Sequence, residues 1–326
     1  MGPNGAGKTN LLEALHLGTQ GFSPRTRTDA QLVRFGQEAA RVELRGTRAG
    51  APLELRVTLK LGEAKKAVLN GSQLRAAEQL RSEVSTLVFT PDRLAVIKGG
   101  PAARRAYVDR VVGRLSPARA SLSAEYGAAV AQRNAALRRV AGGFSSPEAL
   151  APWTERVAEL GARLAAARTE TVRELAPRFA ERADELGLPD GRLEYEGEPL
   201  TAEALEARLP ADLERGVTGL GPHLDDILVA SGSRELRAFG SQGEQRLAVL
   251  ALLLAEAELL AERGPAPPLL LLDDVLSELD ERRRGILADR IRRSGGQTFV
   301  TATSAGALPT APDQLIEVTP GAARVA

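Results

Sequence analysis

The chain has 326 residues with 43 Lys and Arg against 42 Asp and Glu, a formal net charge of +1 that by itself names no partner. Hydrophobic residues make up 43%, enough for one large or two modest globular domains. Cysteine is absent and His16 and His223 are the only histidines, which excludes disulfides, Cys-based zinc sites and a His-rich metal centre. No run of about 18 uncharged apolar residues occurs, so no membrane span is expected. A glycine-rich motif beginning at residue 2 leaves no room for a signal peptide, and a cytoplasmic location is the simplest reading.

That motif is Gly2-Pro3-Asn4-Gly5-Ala6-Gly7-Lys8-Thr9, followed by Asn10, a full G-x-x-x-x-G-K-[ST] spacing. Its glycines allow a tight turn with successive N–H groups directed into one concavity, and the helix that follows adds unpaired donors and about half a positive charge. Lys8 supplies a cation for the β- and γ-phosphates of a nucleoside triphosphate, and the Thr9 hydroxyl suits Mg2+. Leu11, Leu12 and Leu15 recur at helical spacing directly afterwards.

Alternation at 40–45 and 53–59 predicts two antiparallel strands with one wet face, Asn70-Gly71 a turn, and 85–89 a strand ended by Pro91. From about Arg104 to Gly187 the pattern becomes helical, broken at Gly142-Gly143 and 145–147. The stretch 151–186 reads either as one amphipathic helix or as two antiparallel ones divided near Pro177. Strand signals return near Leu193.

Charge is unevenly spread. Residues 21–75 carry eleven basic and five acidic side chains, residues 101–140 eight and two, and residues 141–215 nine and sixteen. The two basic tracts are candidate polyanion surfaces, with Arg104, Arg105, Lys65 and Lys66 the first choices. Aromatics are only 3% of the chain, so backbone-dominated contact with DNA is expected rather than base stacking.

The second half supplies partners for the phosphate loop. Leu269 to Leu272 reads as a buried parallel strand whose carboxyl end presents Asp273 and Asp274. In this position Asp273 holds Mg2+ and Asp274 orients or polarises the attacking water. Ser277-Glu278-Leu279-Asp280 is expected to open a helix capped by Ser277. Ser241-Gln242-Gly243-Glu244 precedes an apolar helix from 247 to 260, with Ser241 as its cap and Gly243 open to a phosphate. A further strand is expected at 298–301. Together these features predict an α/β core with a helical insertion.

The order of phosphate loop, Ser241–Glu244 loop, Asp273-Asp274 and Ser277–Asp280 is that of ABC-type ATPase heads. The stretches 2–14, 89–105, 221–226, 241–246 and 273–280 together resemble RecF, a family of recombination-mediator ATPases related to SMC proteins. The resemblance implies an ABC/SMC-type head of mixed and antiparallel sheet, with head segments at 1–105 and 191–326 and a helical arm at 106–190. It implies an ATP- and Mg2+-dependent homodimer in which Ser241 to Glu244 complete the partner's nucleotide site, with Ser277 and Asp280 in the D-loop. Weak ATPase activity, binding to gapped DNA and RecO- and RecR-like partners follow from the same resemblance. An ATP-gated clamp or scaffold without useful hydrolysis is the alternative; a transporter ATPase fits the insertion and Asp274 poorly. Leu224 stands where the family has Arg, Thr90 and Asp92 lie near an SMC glutamine, and Thr301-Ala302-Thr303 replaces a histidine, so slow hydrolysis is expected. A strand normally leads into such a loop. Without one, an unpaired sheet edge is expected beside residue 2, and a coding start upstream of Met1, with valine read as the initiator, is the corresponding expectation.

Overall fold

The computed structural model describes residues 1–26, 28–48 and 50–326, with the side chains of Glu78, Pro91 and Asp92 outside the description. The reading of Asp92 as a water-mediated sensor therefore falls outside the described residues, as does Arg27 of the first basic tract. In chain order the elements are α1 (Lys8–Gln20), β1 (Ala39–Arg48), β2 (Ala51–Lys60), β3 (Lys66–Leu69), β4 (Ser72–Gln73) and β5 (Thr86–Phe89). Helices α2 (Ala95–Lys98), α3 (Pro101–Leu115), α4 (Leu122–Ala141) and α5 (Ala151–Glu185) follow. Then come β6 (Gly191–Glu196), α6 (Ala202–Ala207), α7 (Leu209–Arg215), β7 (Asp226–Ser231), β8 (Arg234–Glu235) and α8 (Leu236–Phe239). The chain ends with α9 (Gln242–Arg263), β9 (Leu269–Leu272), α10 (Glu281–Arg293), β10 (Thr298–Val300), β11 (Ile316–Thr319) and β12 (Ala322–Val325).

Two compact units result. The first joins residues 1–93 to 256–326, and the second is 94–255. The second unit starts ahead of the arm expected at 106 and also takes in β6 to β8 and the Ser241 loop. In the first unit, β1 and β2 form a ten-pair hairpin from Ala39↔Lys60 to Arg48↔Ala51, extended by β3 and β4. Its inner face follows the alternation: Leu55, Val57 and Leu59 are buried and pack with Leu17 of α1. A separate parallel sheet has the order β10-β9-β5. Its central strand β9 is bounded by a neighbour on each side, which is why 269–272 is continuously apolar. Leu12 of α1 packs on Leu271 and Val88.

In the second unit α5 is one continuous helix with Pro177 inside it, the first of the two expected alternatives. Its buried stripe, including Leu160, Leu164, Leu175 and Phe179, supplies the packing that outweighs the lost backbone hydrogen bond. Charged side chains inside this unit are paired. Arg133 donates to Asp212 at 2.8 Å with both essentially inaccessible to solvent, and Arg168 forks onto Asp109 at 2.7 and 2.9 Å.

Candidate nucleotide site

The phosphate loop is formed as the sequence requires. Gly5 and Gly7 have φ of 81° and 106°, the left-handed region that side chains avoid. Gly7 is the N-cap of α1 and donates no side chain to it, and no acidic residue occupies the first turn. The first amides of α1 are therefore left to an anion. Lys8 folds over the loop and donates from Nζ to the carbonyls of Gly2 at 2.6 Å and Pro3 at 3.0 Å. Gly2 tolerates no substitution, because a Cβ there would lie 2.2 Å from the carbonyl oxygen of Val318.

Asp273 leaves the carboxyl end of β9 almost fully buried, and Asp274 beside it is exposed. Asp274 has φ 54° and ψ 22°, an unusual conformation for a non-glycine residue that turns the chain sharply out of the sheet. Thr301, directly after β10, holds both. Its hydroxyl donates to Asp273 Oδ1 at 2.9 Å and accepts the Asp274 amide at 2.8 Å. The next residue ties in the phosphate loop, since the Gly2 amide donates to the Ala302 carbonyl at 3.3 Å. Thr301-Ala302 thus connects the two carboxylates to the start of the loop. The sequence marked this pair only as a departure from a histidine; the sharp strand end followed by a hydroxyl residue was the available signal.

A hydroxyl and a carboxylate, the groups of Thr9 and Asp273, are oxygen donors of the kind Mg2+ takes along with phosphate oxygens and water. Among the described residues no cluster of three or more acidic, His or Cys side chains could hold a metal without the nucleotide.

Ser277 does not cap the helix after this turn. It lies in a 3-10 turn over 275–278 and donates to the Asp274 carbonyl at 2.8 Å. Asp280 is the cap, accepting the Arg283 amide at 2.8 Å. A carboxylate near an N-terminus also meets the positive end of the helix dipole.

In the second unit Ser241 caps α9 as expected. Its hydroxyl accepts the Glu244 amide at 3.2 Å while Glu244 Oε2 accepts the Ser241 amide at 2.7 Å, a reciprocal capping box. The Ser241 amide, with Arg234 nearby, holds the Glu244 carboxyl below its ordinary range. Ser241, Gln242 and Gly243 are exposed, and a Cβ at Gly243 would meet nothing nearer than Ser241 Oγ at 4.0 Å. The loop backbone is open to close approach.

The DNA candidates fare differently. Arg104 is not a surface cation: it is 3% exposed and forks onto Asp226 at 2.7 and 2.6 Å. Burial raises the Asp226 carboxyl, but the Arg104 hydrogen bond, the Ile227 amide and the charges of Arg104 and Arg105 together outweigh it, and the net shift is downward. Arg105 is half-buried and donates to the Asp225 carbonyl at 2.6 Å, with burial lowering its pKa. Spacing on the helix could not reveal acids that arrive from 120 residues away. Lys65 is held by the Gly21 carbonyl and Asp29. Lys66 is 61% exposed, with Glu63 at 3.7 Å.

The stretch 221–226 also proves architectural. Besides the Asp225 and Asp226 contacts, Pro222 accepts from Arg168 at 2.5 Å. His223 lies between the Tyr126 hydroxyl at 2.8 Å and the Thr218 carbonyl at 3.0 Å.

The family model for the RecF/RecN/SMC N terminal domain matches residues 1–325. The chain belongs to the RecF family. It is 38% identical over 320 residues to the DNA replication and repair protein RecF of Myxococcus xanthus, covering 93% of this chain and 83% of that protein. It is 34% identical over 332 residues to the RecF of Heliobacterium modesticaldum, covering 97% and 88%. A solved structure of the recombination mediator protein RecF with ATP, from the RecFOR pathway, superposes with a TM-score of 0.85 at 28% identity, covering 100% of this chain and 90% of that one. An Smc head bound to the C-winged helix domain of ScpA superposes at 0.59 with 18% identity and shares the head fold. The fold expected from the motif order is thus the one adopted. Among the described residues no helix is long and apolar enough to cross a membrane.

Proposed function

We propose that this chain is an ATP-dependent DNA-binding protein of recombinational repair and replication-fork maintenance, in which ATP joins two copies and slow hydrolysis releases them. The observation that carries the proposal is the uncapped N-terminus of α1 behind Gly5 and Gly7, linked through Thr301-Ala302 to Asp273 and Asp274. Amides of residues 5–10 and Lys8 bind the phosphates. Thr9 and Asp273 would hold Mg2+, which neutralises charge on the β- and γ-oxygens when bound. Asp274 orients the attacking water. The exposed Ser241–Glu244 loop of a second copy closes the site, with Ser277 and Asp280 in the adjoining D-loop. The partners that go with this reading are gapped DNA and RecO- and RecR-like proteins. Lys66 is the remaining DNA candidate of the first four.

ATP turnover and light scattering on Asp274→Asn test the reading. Loss of turnover with ATP-bound dimers accumulating is expected. Unchanged turnover and dimer lifetime would remove Asp274 from the chemistry and favour a clamp without useful hydrolysis.

A further inference from the structure

The sheet of β1 to β4 keeps one face for water. Leu55, Val57 and Leu59 of β2 and Val42 and Leu44 of β1 turn inward, so the residues between them point out. The register sets the outward residues side by side. Arg41 opposes Thr58, Glu43 opposes Arg56, Arg45 opposes Glu54, and Lys66 of β3 opposes Thr58 from the other side. Arg41, Arg45, Arg56, Lys60 and Lys66 therefore share this face with Glu43 and Glu54.

Each acid lies between two cations. Glu43 pairs with Arg41 at 2.9 Å and Arg56 at 2.6 Å, and Glu54 with Arg45 at 3.4 Å and Arg56 at 3.7 Å. Glu63, in the turn between β2 and β3, is shared by Lys60 at 2.5 Å and Lys66 at 3.7 Å. The carboxylates thus position the cations without neutralising all of them. Arg41, Arg45, Lys60 and Lys66 each keep more than half of the side chain in water. Cations that are held, exposed and in excess suit a phosphate backbone.

One aromatic ring stands at the end of this sheet. The Leu61 amide donates to the Glu38 carbonyl at 3.0 Å, which carries the β1–β2 ladder one step past Lys60. Just ahead, the Gln37 amide donates to the Arg34 carbonyl at 2.9 Å, and Gly36 has φ of 79° while Phe35 stays at negative φ. This is a type II turn, which needs glycine at its third position and fixes the backbone of Phe35 at its second. The Phe35 ring is fully exposed, and Arg34 beside it is exposed as well. A ring held out on a closed turn costs little further ordering when a ligand meets it.

We propose that the outer face of β1 to β3 is a DNA-contacting surface, on which Arg41, Arg45, Lys60 and Lys66 hold duplex phosphates and Phe35 stacks on an unpaired base beside the duplex. The inference rests on the DNA-binding reading above and adds to it a surface and a base-stacking residue. Every base has a π-face, so the contact is independent of sequence. A base inside a continuous duplex is already stacked on both sides and offers Phe35 no partner. The scarcity of aromatics argues against a platform for many bases, whereas one ring at one edge engages one base. A protein partner fits this face less well, because the cores of protein interfaces are depleted of charge.

The test titrates the full chain, in the presence of ATP, against a blunt duplex, the same duplex with a single-stranded tail, and the tail alone, each fluorescein-labelled. Phe35→Ala is expected to weaken binding of the tailed duplex about tenfold and to leave the blunt duplex unchanged. Phe35→Trp should retain tight binding, with its added indole emission quenched by the tailed duplex. Arg41→Gln with Arg45→Gln should weaken both duplexes and reduce the salt slope by about one per residue. Tm should stay at the parent value in the Phe35 variants, because the ring packs on nothing that folding buries. Equal weakening of blunt and tailed duplexes by Phe35→Ala, or no weakening of either, overturns the stacking assignment while DNA binding itself stands. Loss of ATP-dependent self-association in Phe35→Ala with DNA binding unchanged also overturns it and marks a protein contact. A parent chain that binds none of the three DNAs removes the DNA-binding reading and this inference together.

Discussion

The Thr301 hydroxyl donates to Asp273 Oδ1 at 2.9 Å, a buried hydrogen bond between residues 28 apart in sequence. It joins the ends of β9 and β10 and sets the carboxylate that is assigned to Mg2+. The same oxygen accepts the Asp274 amide, so one side chain orients two proposed site residues. Thr301→Val keeps the shape and removes both bonds. Loss of such an orienting partner typically costs about 10- to 100-fold. ATP turnover is expected to fall in that range, and raised Mg2+ should recover part of it, whereas Thr301→Ser should retain most activity. Steady-state kinetics over a Mg2+ series checks this.

Arg104→Ala is expected to act on stability. It leaves Asp226, a half-buried carboxylate, without its forked partner and removes a buried side chain, a loss of about 1–3 kcal/mol. Urea unfolding should show it. The double change Arg104→Met with Asp226→Leu should recover much of that loss, because no unpaired charge remains. DNA affinity of the folded Arg104→Met/Asp226→Leu protein should match the parent; a weakened, flatter salt dependence would return Arg104 to the DNA surface.

Ser241 has a capping task and a proposed nucleotide-facing task that can be separated. Ser241→Ala should cost about 1 kcal/mol from the cap. Ser241→Asp preserves an acceptor for the Glu244 amide, so Tm should stay near that of the parent, while its charge opposes the phosphates of a partner-bound ATP. ATP-dependent dimerisation, followed by light scattering, should be lost in Ser241→Asp and only weakened in Ser241→Ala. Equal loss in both would mean that the cap alone matters.

His223 predicts a pH dependence. Burial lowers its pKa below the ordinary histidine value; the Thr218 carbonyl and nearby Asp225 oppose this, and Arg105 adds to it. The unfolded chain therefore binds the proton first as pH falls. The stabilising contribution is complete above about pH 6.5 and is lost as pH falls from there through the lower folded value. Asp226, also lowered, loses its contribution only in the more acidic carboxylate range. Tm measured from pH 7.5 to 5 should decline, and His223→Gln should flatten that decline.

The β1–β2 alternation, the continuous apolar run of β9 and the glycine spacing of the phosphate loop were legible in the sequence because each is a local pattern with a single geometric solution. For α5 the sequence left one helix or two open. A proline is a local breaker, but the buried stripe that carries Pro177 inside the helix depends on neighbours that the stretch itself does not specify. The cap after Asp274 went to Asp280 rather than Ser277 because the 3-10 turn delays the helix start by a few residues.

By itself the sequence determined the ligand class and the motif order, since phosphate binding rests on backbone amides whose placement follows from residues within a few positions of one another. Only the tertiary structure decided which charges are available. Arg104 and Arg105 belong to a basic tract in sequence, yet β7 and the turn before it bring Asp226 and the Asp225 carbonyl against them, and a paired buried cation no longer faces solvent. It also decided that Thr301 organises Asp273 and Asp274. These depend on contacts between distant strands, which no local spacing encodes.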